Sequence, residues 1–320
     1  MWVPLLLLIL GFIALVWSAD LFLSGAAASA RNLGVSKLII GLTVVSVGTS
    51  APEILVAIFA AIEGNPLLAV GNAIGSNIAN IGLVLGITAI IAPLPFSKSV
   101  RKDQLPWLLG ATLLALVLMF DLEISFVDGC ILLLGLAAIL WRLVHVQANA
   151  DPELSKSMTE EQDELPNMTN LQAIAWLILG LLVLLVSAQV LVYSATTIAE
   201  LLGVSDMIIG LTIVAVGTSL PELATTIGSA LKGHPDIAIG NIVGSNILNI
   251  LAVLAVPGIV NGTLIEPSAL WRDGGMMLAL TLMLALFAYG IHSKSVITRF
   301  EGMVMLAAWI GYNILLMQNA

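Results

Sequence analysis

Long apolar runs separated by short polar breaks fill this chain, and within a run the apolar residues are continuous. Continuous runs predict membrane-crossing helices, because a crossing strand would alternate apolar and polar positions. At roughly 20 mostly apolar residues per crossing, the pattern predicts ten spans: 3–27, 37–62, 67–91, 104–120, 126–146, 171–195, 207–231, 237–260, 271–290 and 297–317. The opening run, MWVPLLLLILGFIALVW, lacks a basic leader and reads as a retained first span. One polar stretch is long. Residues 148–170 carry Asp151, Glu153, Glu160, Glu161, Asp163 and Glu164 against Lys156. That composition predicts a solvated connector, too short for a folded domain.

The pattern also repeats. GLTVVSVGTSAPE (41–53) and GLTIVAVGTSLPE (210–222) differ only at Val44/Ile213, Ser46/Ala215 and Ala51/Leu220, at an offset of 169 residues. GNAIGSNIANI (71–81) and GNIVGSNILNI (240–250) match at the same offset. The chain therefore reads as a first repeat at 1–147, a linker at 148–170 and a second repeat at 171–320. Each repeat holds five spans. Five is odd, so the second repeat enters the membrane from the opposite side, which predicts inverted repeats about an axis in the membrane plane. The expected fold class is an all-α polytopic membrane protein of ten helices in two inverted five-helix repeats. The motifs then fall near mid-membrane, at the interface of the repeats.

Composition agrees with the class: 59% of residues are hydrophobic and 10% charged, with a mean hydropathy of +1.08. The single cysteine, Cys130, excludes a disulfide framework or a Cys-rich metal site. Charge sets an orientation. Alternating spans place Arg31, Lys37, Lys98, Arg101, Lys102, Arg142, Lys156, Lys232, Lys294 and Arg299 on one side and Arg272 alone on the other. The positive-inside rule makes the first side cytoplasmic and puts both termini outside. The outer-side acids, Asp273 and Glu266 among them, are expected to be solvated loop charges. Asp20, near the inner end of the first span, is expected to cap or pair structurally.

The motif residues define a chemistry. On a helix, Thr49, Ser50 and Glu53 share a face, as do Ser76 and Asn80. Pro52 lacks an N–H and crowds the carbonyl one turn back, freeing backbone oxygen beside Glu53. Thr218, Ser219, Glu222, Pro221, Ser245 and Asn249 repeat this set. Carboxylates, hydroxyls, amides and carbonyls without Cys, His or a basic residue suit hard cations such as calcium or sodium. Two ionised glutamates balance one divalent cation. Without it, the two charges would repel in low dielectric, so the site crosses the membrane only when other cations replace the first. That favours exchange. An intramembrane enzyme is not expected, since no histidine lies near mid-membrane and no HExxH occurs. Asn77 and Asn246 read equally as ligands or as interhelical glue.

The paired GTS-x-PE and GSN-x-x-N segments resemble the alpha-repeats of the sodium/calcium exchanger branch of the cation/calcium exchanger superfamily, in its compact prokaryotic form. The resemblance covers essentially the whole chain. It implies a sodium/calcium antiporter of the cell membrane, with calcium and sodium as substrates and no cofactor; one chain has enough helix to enclose a site, so a functional monomer is expected. It implies calcium held by Glu53 and Glu222, with further ligands from Thr49, Ser50, Ser76 and Asn80 and the Ser46 carbonyl. In the second repeat these are Thr218, Ser219, Ser245 and Asn249 and the Ala215 carbonyl. It also implies that spans one and six slide across the central bundle to alternate access. Asn249 stands where potassium-dependent relatives carry an acid, which argues against potassium transport. A calcium/proton antiporter using the same two glutamates is the alternative.

Overall fold

The computed structural model describes residues 2–33, 44–62, 64, 66–148, 167–201, 215–260, 262–290 and 295–318. The expected linker lies almost wholly outside them, as do the first turns of the predicted second and seventh spans. The chain is helical almost throughout. We label α1 Trp2–Leu33, α2 Ser46–Thr49, α3 Ala51–Ile62, α4 Pro66–Ile91, α5 Val100–Asp121 and α6 Phe126–Ala148. The second half provides α7 Asn170–Leu201, α8 Ala215–Thr218, α9 Leu220–Leu231, α10 Pro235–Val260, α11 Ala269–Tyr289 and α12 Arg299–Gln318.

Six of the described helices are long and apolar enough to cross a membrane: α4, α5, α10, α11 and parts of α1 and α7. α1 and α7 outrun the predicted spans; in α1 the alanines of the SGAAASA stretch after Leu23 continue the helix. Capping boxes fix several starts. Thr169 and Gln172 exchange hydrogen bonds before α7, as do Ser125 and Asp128 before α6 and Thr298 and Glu301 before α12.

Two bodies emerge from the packing. The larger apolar core joins α3–α6 to α9–α12. A smaller one joins Leu15, Phe22 and Leu23 of α1 to Leu184 of α7 and to Val45 beside α2. Within the smaller body α1 and α7 meet backbone to backbone. A Cβ on Gly25 would lie 2.4 Å from Leu177 N, and one on Gly180 would lie 2.4 Å from Phe22 N. The two helices therefore behave as one slab against the bundle.

Strands were not expected, yet two ribbons of two residues per strand occur. β1 (Leu94–Pro95) pairs antiparallel with β4 (Val296–Ile297), and β2 (Glu123–Ile124) with β3 (Thr263–Leu264). Each ribbon takes one strand from each half, and the exchange is reciprocal. Close glycine crossings reinforce the same joints: Gly86 with Gly302, and Gly129 with Gly258.

Candidate cation site

The helix breaks forecast at the two prolines occur in both repeats. α2 ends at Ser50, whose φ −82°, ψ 5° leave the helical region, and α3 begins at Ala51. Ser219 adopts φ −88°, ψ 3° between α8 and α9. The amide of Ser50 donates to the Ser46 carbonyl at 2.9 Å. Pro52 and Pro221 cannot donate to the carbonyls of Gly48 and Gly217. A second irregularity was not legible in advance. α4 widens into a π-helix at Asn80–Leu85, and α10 does the same at Asn249–Val253. Each widening starts at a candidate ligand, and π segments recur at functional sites.

These breaks bring residues of the two halves together. α3, with Glu53, packs on the Asn249–Val253 segment, and α9, with Glu222, packs on the Asn80–Leu85 segment. Ser46, Thr49, Ser50, Glu53, Asn80, Glu222, Ser245 and Asn249 are fully buried, and Ser76 and Ser219 nearly so. Thr218 is half-buried, and Ala215 opens α8 with its backbone. Among the described residues, Glu53 and Glu222 are the only buried acids or bases. The hydroxyls of Ser50 and Ser245 donate to Glu222 Oε1 at 3.1 and 3.4 Å.

Many acceptors here have no partner. Both carboxylate oxygens of Glu53, Glu222 Oε2, Asn80 Oδ1 and Asn249 Oδ1 are buried without a hydrogen bond, and so is the Ser219 hydroxyl. Burying such groups unpaired costs about 1–3 kcal/mol each, and more when charged. Several oxygens of this kind around two carboxylates match a hard cation, which takes about 6–8 oxygen ligands as calcium. Thr49 has one proton for two acceptors. Its bond to Asn241 Oδ1 is 3.1 Å and that to the Ser46 carbonyl is 3.4 Å.

Asn246 acts as interhelical glue, whereas the Asn77 amide bonds only within its own helix and its Oδ1 is buried without a hydrogen bond. Asn80 Nδ2 donates to Asn246 Oδ1 at 3.0 Å, Asn246 Nδ2 to the Asn77 carbonyl at 3.4 Å, and Asn77 Nδ2 to the Ala73 carbonyl at 2.8 Å. The sequence reading assigned nothing to Asn72 and Asn241, although both recur in the GN dipeptide of the repeat. Asn72 Nδ2 donates to the Glu53 carbonyl at 3.0 Å. Asn241 Nδ2 donates to the hydroxyls of Thr225 and Thr226 at 3.1 and 3.0 Å. One expectation is corrected. Asp273 is not a solvated loop charge: its carboxylate is paired with Arg272 at 2.7 Å, accepts the Tyr312 hydroxyl at 2.8 Å and is only 18% exposed. Asp20 pairs, as expected, with Lys232 Nζ at 2.6 Å.

Comparison with known proteins agrees with this geometry. The sequence matches the family described as "Sodium/calcium exchanger protein" over residues 3–144 and 172–318. It is 45% identical to CaxA of Alkalimonas amylolytica over 320 residues, 100% of each chain. It is 31% identical to the sodium/calcium exchanger MaX1 of Methanosarcina acetivorans over 347 aligned residues, 98% of each. The fold is similar to that of the sodium-calcium exchanger NCX_Mj soaked with sodium and calcium, with a TM-score of 0.81 and 35% identity over 96% of each chain. The chain therefore belongs to the sodium/calcium exchanger protein family.

Proposed function

We propose that this membrane protein exchanges sodium ions for calcium by alternating access, with both substrates bound between the two repeats. Calcium is held by Glu53 and Glu222. Ser50, Ser76, Ser219 and Ser245 contribute to flanking sodium positions, and Thr49, Thr218, Asn80, Asn249 and the carbonyls of Ser46 and Ala215 complete the shell. The observation that carries this reading is the buried set of unpartnered oxygens around the two glutamates. Their combined charge suits one divalent cation. Two unit charges ~4 Å apart repel by about 4 kcal/mol at an effective dielectric of 20, so the doubly ionised pair resists transit until sodium replaces calcium. The relation to MaX1 and NCX_Mj supports sodium as the counter-ion.

The mobile part in this reading is the α1/α7 slab. It has its own apolar core and meets the bundle beside the helix breaks, where Phe22 and Leu181 lie within 3.2 Å of the position a Cβ on Gly48 would take. The Lys232 side of the membrane is the cytoplasmic one, both termini lie outside, and a single chain encloses the site. No cofactor is needed. The test is calcium flux in proteoliposomes under an imposed sodium gradient with pH clamped, comparing calcium, magnesium and manganese. Sodium-dependent calcium flux is expected. Flux that ignores sodium and follows an imposed pH gradient would instead make the chain a calcium/proton antiporter using the same two glutamates.

A further inference from the structure

The two ends of the site differ in this structure. On one side lies a cavity of about 420 Å³, lined by Gly71, Asn72, Gly75 and Thr218 and rimmed by Glu266 and Asp273. A Cβ on Gly71 or Gly75 would meet nothing within 4 Å. On the other side the described residues pack closely. Lys232 and Glu266 follow opposite ends of α10, a 26-residue helix, so they belong to opposite faces. At the Lys232 end α1 lies along α9. A Cβ on Gly228 would come within 2.9 Å of Leu23 Cδ1. Lys232 Nζ reaches Asp20 Oδ1 at 2.6 Å, the Asp20 carbonyl at 3.2 Å and Ser24 Oγ at 3.0 Å. Deeper in, Asn241 ties Thr49 to Thr225 and Thr226 across the two halves.

The repeat says what the mirror-image closure would contain. At the offset of 169 residues, Gly228 corresponds to Phe59, Thr225 to Val56, Thr226 to Ala57, Lys232 to Glu63 and Asp20 to Gln189. When α7 seals against α3 it must pass a phenylalanine ring where α1 passes a glycine. Asn72 then faces Val56 and Ala57, which have no hydroxyl to accept its amide. The rim pair becomes Gln189 and Glu63, which cannot form an ion pair. One closure thus has a tight crossing, two hydroxyl acceptors and a salt bridge, and its counterpart lacks all three.

We propose that Asp20 and Lys232 latch the α1/α7 slab to α9 and, with Gly228, bias this chain toward the state sealed on the Lys232 side and open at the Gly71–Glu266 cavity. This rests on the alternating-access reading above. A ligand arriving on the sealed side then meets a competent site only in the minor population, and its apparent affinity there falls by that fraction.

The test is thiol labelling of the full-length protein in detergent micelles, where an impermeant maleimide reaches both faces. Cys130→Ser removes the native thiol. Reporters are Gly71→Cys on the cavity side and Ala224→Cys, which faces α1 on the sealed side. The parent should label quickly through Gly71→Cys and slowly through Ala224→Cys. Asp20→Asn or Lys232→Gln should raise Ala224→Cys labelling by up to about fivefold, the range for a solvent-exposed pair, and lower Gly71→Cys labelling. Gly228→Phe should act in the same direction. The charge swap Asp20→Lys with Lys232→Asp should return both rates toward the parent. Rates that do not move, or that rise together at both reporters, would overturn the latch. Labelling needs no transport, so a chain that labels as expected yet exchanges nothing would sink the transport reading alone.

Discussion

Ser50 and Glu222 come from opposite halves of the chain, and the Ser50 hydroxyl donates to Glu222 Oε1 at 3.1 Å. The counterpart pair, Ser219 and Glu53, is not joined. Neither the Ser219 hydroxyl nor either Glu53 oxygen has a hydrogen-bond partner. The site is thus symmetric in residues and asymmetric in bonding. The difference predicts that matched substitutions in the two halves have unequal effects.

Ser50→Ala and Ser219→Ala should differ accordingly. Ser50→Ala removes a hydrogen bond to a carboxylate, worth about 1.5–3 kcal/mol, and should lower both thermal stability and exchange. Ser219→Ala breaks no bond in this structure, so it should leave ion-free stability near the parent's and still weaken sodium dependence. Thermal unfolding in detergent, paired with flux in proteoliposomes, separates the two. Equal loss of stability in both variants would contradict the assignment.

Glu53→Gln keeps the shape of the side chain and removes one of two buried charges. Ion-free stability should hold or rise, because an unpaired buried carboxylate is more costly than an amide. What should vanish is the stabilisation by calcium, which for a ligand at 100 times its Kd amounts to about 2.7 kcal/mol. The same holds for Glu222→Gln. Calcium titration of the melting temperature reads this directly, and a shift of parental size in either variant would remove that glutamate from the site.

Asn241 makes three side-chain hydrogen bonds and its counterpart Asn72 makes one, to the Glu53 carbonyl. At about 1 kcal/mol net for each, Asn241→Ala should cost about 3 kcal/mol and Asn72→Ala about 1 kcal/mol. Denaturant or thermal unfolding of the two variants checks the ranking.

The slab is most sensitive where its backbones touch. Gly180→Ala places a methyl against the amide of Phe22, and Gly25→Ala one against the amide of Leu177. Neither neighbour can rotate away, so each change should force α1 and α7 apart, at about 1–3 kcal/mol for an overpacked contact. Exchange should fall with stability. Gly110→Ala, with nothing within 4 Å of the added carbon, is the control and should leave both unchanged.

Much of this was legible in the sequence because the physics is periodic. Continuous apolar runs mark the helices, and the duplicated GTS-x-PE segment marks the breaks at Ser50 and Ser219. The duplicated motifs were expected to meet at mid-membrane, and Ser50 of one does reach Glu222 of the other. Other features leave no such trace. A π-helical turn at Asn80–Leu85 depends on how α4 packs against α9 and α12, not on a residue preference. The ribbons are two residues long, below any periodicity. Asp273 read as a loop acid because its partners are the adjacent Arg272 and Tyr312, 39 residues further on. The role of Asn241 needed the hydroxyls of Thr225 and Thr226, which only the packing of α10 on α9 brings within reach.

In the proposed exchange Glu53 and Glu222 jointly hold one calcium ion that sodium displaces. Equilibrium calcium binding to the purified chain tests it most directly, measured with and without sodium at constant ionic strength and pH, for the parent and for Glu53→Gln. One calcium per chain is expected in sodium-free buffer, released as sodium is added, and none bound by Glu53→Gln. Calcium binding that persists unchanged in Glu53→Gln, or that sodium does not weaken, would contradict it.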